Sequence, residues 1–248
     1  NALDGIDAGP KDVYVAACRV IMRLVVVFFA EARDLLPRDN PLYHGSYGLQ
    51  GLREELERHG EGAAKERLHH RYGAWPRVLG LFRLIFFGSC HEDLAIPRYG
   101  GGLFEPGDPQ SRDGILRALS VFENLLTSPA DSAVYAIIRL ITRCMVRVRQ
   151  GKGATFVEDT VDFSDLSTEY IGILYEGLLD FELRKADEND PVVFLNLGDQ
   201  PALPLSRVEG MNDDGLSDLI EKLKKSEKLK PSGEDAEGEE EDDDAGDA

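Results

Sequence analysis

The chain has few cysteines, and their positions exclude several classes of protein. Only Cys18, Cys90 and Cys144 occur among its 248 residues, and they are far apart. Because no Cys-x-x-Cys pair is present, the sequence contains neither a disulfide framework nor a zinc-finger ligand set, which suits a reducing compartment. No signal-peptide pattern is visible either. We therefore expect a cytoplasmic protein.

An uninterrupted hydrophobic run of membrane-spanning length is also lacking. The most apolar stretch, residues 13–30, contains Arg19 and Arg23. It is shorter than the roughly 20 apolar residues that a transmembrane helix requires. We expect this stretch to form a buried helix, and we expect no membrane partner.

Basic residues are scarce, since 28 Lys and Arg stand against 46 Asp and Glu and give a net charge of −18. This balance argues against a strong, autonomous nucleic-acid-binding surface, because such surfaces use Lys and Arg to displace counterions from phosphates. One local basic cluster remains a candidate. It consists of Arg139, Arg143, Arg147, Arg149 and Lys152.

The acidic residues are concentrated at one end of the chain. Residues 231–248 contain ten of them and no basic residue. The segment also has no apolar side chain larger than alanine or proline, so it has little surface to bury against the entropy cost of ordering. We predict a disordered acidic linker here. The alternative is a DNA mimic or a partner-binding acidic tail.

The glycine-rich segment of the chain does not match a phosphate-binding loop. The three glycines at residues 100–102 are not followed by Gly-Lys-Ser/Thr, as a Walker loop requires. A dinucleotide fingerprint needs a strand before and a helix after it, whereas Pro97 and Pro106 flank these glycines. We predict a tight loop with positive φ, anchored in the core by Leu103 and Phe104.

No catalytic, cofactor-binding or metal-binding residue can be assigned. The segment 91–93, His-Glu-Asp beside Cys90, lacks a second ligand cluster with zinc spacing. A nuclease cluster of an acid followed by Glu-x-Lys is approached only by Asp180, Glu182 and Lys185. These residues end an apparent helix instead of a strand, so nuclease activity is not expected.

Hydrophobic periodicity of about 3.6 residues dominates the chain and predicts a mostly α fold. We expect one multi-helix domain over residues 12–230, after a polar lead-in at 1–11, with Asp12 and Asp113 as helix N-caps. The expected helices are residues 13–36, 49–58, 75–87, 113–126, 133–148, 166–184 and 216–229. Residues 155–163 and 192–197 have strand composition and are expected to pair as a small β hairpin or flap.

The end of the first predicted helix carries two charges, Glu31 and Arg33. Residues two apart do not face each other on a helix, so each side chain needs a partner elsewhere. We favour a buried or half-buried ion pair with other helices that fixes packing. The functional alternative is that Arg33 contacts a DNA backbone.

Four segments of the chain are the most distinctive. They are residues 23–37, ending in AEARDLLP; residues 79–85 and then 96–104, IPRYGGGLF; residues 166–179, LSTEYIGILYEGLL; and residues 195–205, LNLGDQPALPL. In this order they resemble the helical region that precedes the catalytic domain in large bacterial restriction–modification adenine-specific DNA methylases. That group includes the type IIG-like enzymes and the methylases of the BREX and DISARM phage-defence systems.

The resemblance implies a function for a parent protein and none of its catalytic residues here. In that family an S-adenosylmethionine-dependent domain follows, with a glycine-rich cofactor loop and an Asn-Pro-Pro-Tyr motif. Neither motif is present, and Asn40-Pro41 continues with Leu42. The parent reaction would be methyl transfer from S-adenosylmethionine to the adenine amino group of duplex DNA, which requires base flipping.

The expected role of this chain is therefore that of a non-catalytic helical domain that positions the catalytic domain and lines the DNA channel. The alternative is a helical adaptor that binds other defence-system subunits and has no DNA role. The residues expected to contact DNA are Arg33, Arg139, Arg143, Arg147 and Lys152.

Overall fold

The computed structural model describes residues 7–60, 65–150, 153–181, 187, 189–195 and 202–229. Within these residues the chain forms ten helices and three two-stranded sheets, so the predicted mostly α fold with a small hairpin is confirmed. The chain divides into two compact units. The first unit is Asn1–Val146 with Glu158–Arg184, and the second is Arg147–Val157 with Lys185–Ala248.

The first unit contains most of the helices. In chain order its elements are α1 (Pro10–Ala32), α2 (Pro41–Ser46), α3 (Leu49–Gly60), α4 (Lys65–Leu68), α5 (Ala74–Phe87), β1 (Ser89–His91), β2 (Leu94–Ile96), α6 (Gly114–Phe122), α7 (Asp131–Thr142) and α8 (Thr168–Leu179). Strands β3 (Arg143–Gln150) and β4 (Gly153–Thr160) pair in one sheet, and the division between the two units runs through this hairpin.

Helix α1 starts and ends earlier than its periodicity suggested. Pro10 occupies the first turn, where its missing N–H is not needed, so the N-cap is Gly9. The predicted N-cap Asp12 is wrong, because its carboxylate lies in the first turn and accepts the Gly9 N–H at 3.0 Å. The helix ends at Ala32, and Asp34 follows with a φ of 55°.

The core of the first unit forms around α1, as predicted for a buried helix. α1 has 23 residues, and its most apolar 18-residue window has a mean hydropathy of 2.1, so the helix is long and apolar enough to cross a membrane by length and composition. Half of its most apolar window is nevertheless buried inside the protein. Apolar side chains of α3, α5 and α7 pack into the same core. They include Leu49, Leu52, Leu56, Val78, Leu81, Phe82, Ile85, Val134 and Ile138.

The long loop between β2 and α6 is held down by a buried ion pair. Arg23 of α1 donates from Nε to the Leu103 carbonyl and from Nη2 to the Glu105 carbonyl, both at 2.6 Å. Its Nη1 lies 2.7 Å from Glu123 Oε1 at the end of α6. The other Glu123 oxygen accepts the Gly107 N–H at 3.1 Å. The buried charges of Arg23 and Glu123 therefore have hydrogen-bond partners. Together they attach the loop to α1 and α6.

The glycines of this loop behave as predicted. Gly100 and Gly101 have φ values of 62° and 81°, and Phe104 is buried in the core. Before this loop, β1 and β2 form a short antiparallel hairpin. Gly88 permits this hairpin, since it has a φ of 76° and a Cβ there would lie 2.8 Å from the Arg98 amide nitrogen.

The predicted helix over residues 133–148 is wrong after Thr142. α7 ends there, with the Thr142 hydroxyl donating to the Ile138 carbonyl at 2.8 Å, and β3 begins at Arg143. The residues that follow, RCMVRVR, alternate between polar and apolar side chains and are rich in valine, which favours a strand. The helical spacing of the earlier residues was wrongly extended into this alternation.

The second unit is described for short segments only. β5 (Val192–Phe194) pairs with β6 (Ala202–Pro204), so the predicted pairing of residues 155–163 with 192–197 is wrong. α9 (Leu205–Glu209) and α10 (Asp213–Leu229) follow. Asp190 accepts both the amide and the hydroxyl of Ser206, at 2.8 and 2.6 Å, and these bonds lower its pKa. The predicted acidic linker at 231–248 lies outside the described residues.

Candidate functional site

Two of the arginines predicted to contact DNA are already paired with carboxylates. Arg139 of α7 makes a bidentate contact with Glu158 of β4, with Nη2 at 2.8 Å from both carboxylate oxygens. Arg143 at the start of β3 lies 2.6 Å from Glu57 of α3. These hydrogen bonds raise the pKa of both guanidinium groups. Any phosphate at this surface would have to compete with Glu57 and Glu158.

The predicted basic cluster does not lie along a single helix face. Arg139 belongs to α7, whereas Arg143 belongs to β3, because the helix ends at Thr142. Arg147 and Arg149 lie on the same strand, but their side chains are outside the described part, as is the whole of Lys152. A DNA contact by these residues therefore stays a prediction. The residues do not share one helical face that could present them to DNA together.

Arg33, the remaining predicted DNA contact, is exposed at the end of α1. Its Nη2 donates to the Leu166 carbonyl at 3.1 Å, and its guanidinium lies 5.1 Å from the ring centroid of Phe29. These contacts hold the chain just before α8 against the end of α1. A phosphate could still reach Arg33, because a single bond to a carbonyl leaves other guanidinium N–H groups available.

Glu31 is buried, as predicted, but its expected ion pair is wrong. Its Oε1 accepts the Tyr43 hydroxyl and the Leu49 N–H, both at 2.8 Å, and its Oε2 accepts the Gln50 N–H at 2.9 Å. The carboxylate thus caps the first turn of α3, where free N–H groups and the helix dipole favour a negative charge. Burial still raises the pKa of Glu31 above its ordinary value.

Buried carboxylates serve the same purpose elsewhere in the first unit. Asp131 of α7 accepts the Ala74 N–H at the start of α5 at 2.8 Å, and its other oxygen lies 3.5 Å from Nε of Arg71. Glu123 accepts a loop N–H while it pairs with Arg23. These carboxylates accept hydrogen bonds from backbone N–H groups, so none of them resembles a free general acid or base.

Neither a metal nor a thiol centre is formed by the residues that the structure describes. They include no group of three or more His, Cys, Asp and Glu side chains placed to hold a metal ion. Cys18 is buried, Cys90 and Cys144 are exposed, and all three are free thiols. The His91 ring accepts the Asp93 N–H at 3.2 Å, and its Nδ1 lies 3.7 Å from an Asp93 carboxylate oxygen.

Helix α8 presents the most conspicuous surface of the first unit. Seven of its twelve residues are large and apolar, yet none is buried. A hydrogen bond joins α8 to α1, in which the Tyr14 hydroxyl donates to the Leu178 carbonyl at 2.6 Å. Five apolar side chains of α8, together with that of Phe181 just after it, are 37–69% exposed. They are Tyr170, Ile173, Leu174, Tyr175, Leu179 and Phe181, and we call them the α8 face.

The apolar residues of α8 lie at or near the surface. Leu174 and Tyr175 are exposed, and Ile171 and Leu178 are half-buried. The helix itself, Thr168–Leu179, is shorter than the predicted 166–184. A helix that is apolar on nearly all sides is buried on all sides or binds a partner. This pattern in the sequence was the signal for an interaction surface.

No protein family, curated protein or solved structure matches the chain.

Proposed function

We propose that this chain is a non-catalytic helical domain of an adenine-specific DNA methyltransferase in phage defence, and that it holds the S-adenosylmethionine-dependent catalytic domain through the α8 face. The observation that carries the proposal is the exposure of six large apolar side chains on one short segment. Exposed apolar patches larger than roughly a few hundred Å² are typical of interaction surfaces. The segment 166–179 is also one of the four that resemble this family.

The charge of the chain supports a basic partner. Glu169 and Glu176 lie on α8 between its apolar residues, Asp165 and Asp180 flank the helix, and the whole chain has a net charge of −18. A domain that encloses duplex DNA carries Lys and Arg to neutralise phosphates. An acidic border around an apolar face complements such a domain, because opposite charges at an interface rim speed association and suppress wrong partners.

The buried acids support a structural role for the chain itself. Glu31, Glu123 and Asp131 are each bound to backbone N–H groups, which fixes helices and loops in place. An enzyme active site needs a carboxylate or other group left available for substrate. The proposed division of labour places methyl transfer entirely in the partner domain.

A helical adaptor without a DNA role is the second candidate, and one observation favours it. Arg139 and Arg143 are paired with Glu158 and Glu57, so the arginines expected to contact DNA are partly neutralised within the chain. The adaptor would use the same α8 face to bind another subunit of a defence complex. The two candidates differ in whether the complex methylates DNA.

The proposal is tested by sequencing the gene further and by assaying one variant of the α8 face. The gene is read beyond Ala248 for a glycine-rich cofactor loop and an Asn-Pro-Pro-Tyr motif, and the whole encoded protein is assayed for S-adenosylmethionine-dependent adenine methylation. We expect Ile173→Glu with Leu174→Glu to abolish methylation while the far-UV circular dichroism spectrum stays unchanged. Leu125→Glu with Leu126→Glu, which changes two exposed apolar side chains outside the α8 face, is the control and is expected to retain activity.

Two results would overturn the proposal. The absence of a methylase domain in the gene, and of a methylase in its operon, would leave the adaptor as the better account. Full methylation by the double variant would show that the α8 face does not hold the catalytic domain.

A further inference from the structure

A second feature of the first unit is a cleft between the end of α1, the start of α3 and the segment that follows β4. Its volume is about 340 Å³. Phe28, Glu31 and Phe163 form a buried floor, with the two phenyl rings stacked at 5.3 Å between centroids. Arg38 and Arg53 lie among the polar residues that line it. We call this feature the Arg53 cleft.

Arg53 is the unusual residue of the cleft. Its Nε is buried and has no hydrogen-bond partner among the described residues. Buried polar groups are bonded in the great majority of cases, and an unmet donor on a charged group is costly. None of the hydrogen bonds among the described residues involves the Arg53 side chain, although this half-buried residue lines the cleft. Its guanidinium therefore calls for an acceptor from outside the chain.

The acids that could have neutralised Arg53 are bonded to other groups. Glu57, one helical turn away on α3, pairs with Arg143 at 2.6 Å. Glu31 has both oxygens occupied by Tyr43 and the first two N–H groups of α3. Each of these carboxylates is thus held away from Arg53 by a specific partner.

The second acid that lines the cleft, Asp162, is held by its own turn. Its Oδ1 accepts the Ser164 amide at 2.8 Å and the Ser164 hydroxyl at 2.6 Å, and these bonds lower its pKa. Asp162 stays charged and would repel an anion at its side of the cleft. The favourable approach to Arg53 is therefore from the side of Arg38.

Arg38 is available to assist Arg53. It pairs with Asp34 at 2.7 Å, but both side chains are exposed. Exposed ion pairs contribute only about 0–1 kcal/mol, so Arg38 can turn to a better acceptor at little cost. Two guanidinium groups at one cleft favour a phosphate, whose oxygens accept bidentate hydrogen bonds from arginine.

We propose that the Arg53 cleft binds a phosphate group, with Arg53 as the principal donor and Arg38 as the second. The phosphate can come from a DNA backbone or from a free phosphate ion. The DNA source rests on the proposed function, whereas the phosphate site itself depends only on the cleft. If DNA supplies the phosphate, the chain contacts the DNA backbone through Arg53 of α3. The contact then does not involve Arg139 of α7 or Arg143 of β3, which are paired with carboxylates.

The first experiment follows the Nε–H signal of Arg53 by nuclear magnetic resonance in the 248-residue chain. The signal is assigned by its loss in Arg53→Gln. Inorganic phosphate is added at constant ionic strength, with chloride as the reference anion. We expect a saturable shift of the Arg53 signal. Phosphate binding to the variants is followed by the backbone amide signals of Gln50 and Val161, which line the cleft. We expect binding to be at least about tenfold weaker in Arg53→Gln, because a hydrogen bond to a charged group is lost.

The matched control is Arg58→Gln, which removes the same charge from the same helix. Arg58 is exposed, and within the described part of the chain it donates to the Glu54 carbonyl alone, at 3.3 Å. We expect phosphate binding to change by less than about twofold in this control, since exposed charges are largely screened. Arg53→Lys, which keeps the charge but loses the fork, is expected to fall between the two.

The second experiment separates the two sources of phosphate. Fluorescence anisotropy with a labelled 20-base-pair duplex is measured as a function of salt for the wild type and both glutamine variants. A DNA source predicts that Arg53→Gln lowers the salt slope by about one, as for one lost phosphate contact, and that Arg58→Gln does not.

The nuclear magnetic resonance result decides whether the phosphate site exists, and the anisotropy result decides whether DNA supplies the phosphate. An Arg53 signal that does not respond to phosphate overturns the site, whatever the DNA result. A phosphate response with DNA binding equally affected by both variants, or with no DNA binding, supports the site with free phosphate as its source. DNA binding that ignores Arg53 while phosphate leaves the signal unmoved overturns the site and leaves the proposed methylase role standing.

Discussion

Two charges are buried on α1, and the protein accommodates them in different ways. Arg23 is fully buried and meets the opposite charge of Glu123 at 2.7 Å, with two loop carbonyls completing its bonds. Glu31, two turns later and 3% exposed, has no cation within 4 Å among the described residues. It is held by a hydroxyl and by two N–H groups of α3.

The difference lies in what each charge organises. Arg23 holds a long loop, whose carbonyls point inward and need strong donors. Glu31 holds a helix start, whose N–H groups need an acceptor and whose dipole supplies part of the missing positive charge. Desolvation lowers the pKa of Arg23 and raises that of Glu31. Arginine stays protonated in proteins, so only the Glu31 shift bears on the pH dependence of stability.

The largest effect is expected from breaking the Arg23 pair on one side. Arg23→Met leaves the Glu123 carboxylate buried without its cation and two loop carbonyls without donors. We expect the free energy of unfolding to fall by roughly 3–5 kcal/mol, as for other buried pairs broken on one side. Urea denaturation measures it. Arg19→Met on the same helix is the control, with an expected change within about 0.5 kcal/mol.

The double variant Arg23→Met with Glu123→Met separates the pair from its surroundings. We expect it to be more stable than Arg23→Met alone by at least about 1 kcal/mol, because the uncompensated carboxylate is gone. A double variant as unstable as the sum of the two single variants would show that the two charges do not act as a pair.

A smaller, pH-dependent effect is expected at Glu31. Glu31→Gln places an amide NH₂ against the Leu49 or the Gln50 N–H, whichever way the amide turns. At neutral pH we expect a loss of about 1–3 kcal/mol, since a buried helix N–H loses its acceptor. Glu54→Gln, an exposed position on α3, is the control, and urea denaturation between pH 4 and pH 8 is the measurement.

The sign of the pH dependence follows from the raised pKa of Glu31. The folded protein holds this proton to higher pH than the unfolded chain does, whose ordinary value is 4.5. The contribution from protonation is therefore complete below pH 4.5 and is lost as pH rises through the folded pKa. The difference in stability between wild type and Glu31→Gln should decrease across that range. A difference that grows with pH would contradict the raised pKa.

Sequence patterns predicted the helices of the first unit because their apolar stripes are local. Leu49, Leu52 and Leu56, for example, recur at helical spacing and are all buried as expected. The partners of Arg23 and Glu31 could not be predicted, because Glu123 is 100 residues away and Leu49 offers only its backbone. Likewise, the pairing of Arg143 with Glu57 could not be predicted, because the two residues are 86 apart in the sequence.

The smallest effect on stability is expected from removing the Tyr43 hydroxyl, which donates to Glu31. Tyr43→Phe removes the only side-chain donor to Glu31 in the described residues and leaves both N–H bonds in place. We expect a loss of about 0.5–1.5 kcal/mol by urea denaturation, the usual net contribution of one hydrogen bond. Tyr47→Phe is the matched control, and no loss is expected from it. If Tyr43→Phe costs as much as Glu31→Gln, the hydroxyl and not the helix start is the main partner of the carboxylate. Glu31 would then depend on one neutral donor, and the contrast with Arg23 would be one of partner strength alone.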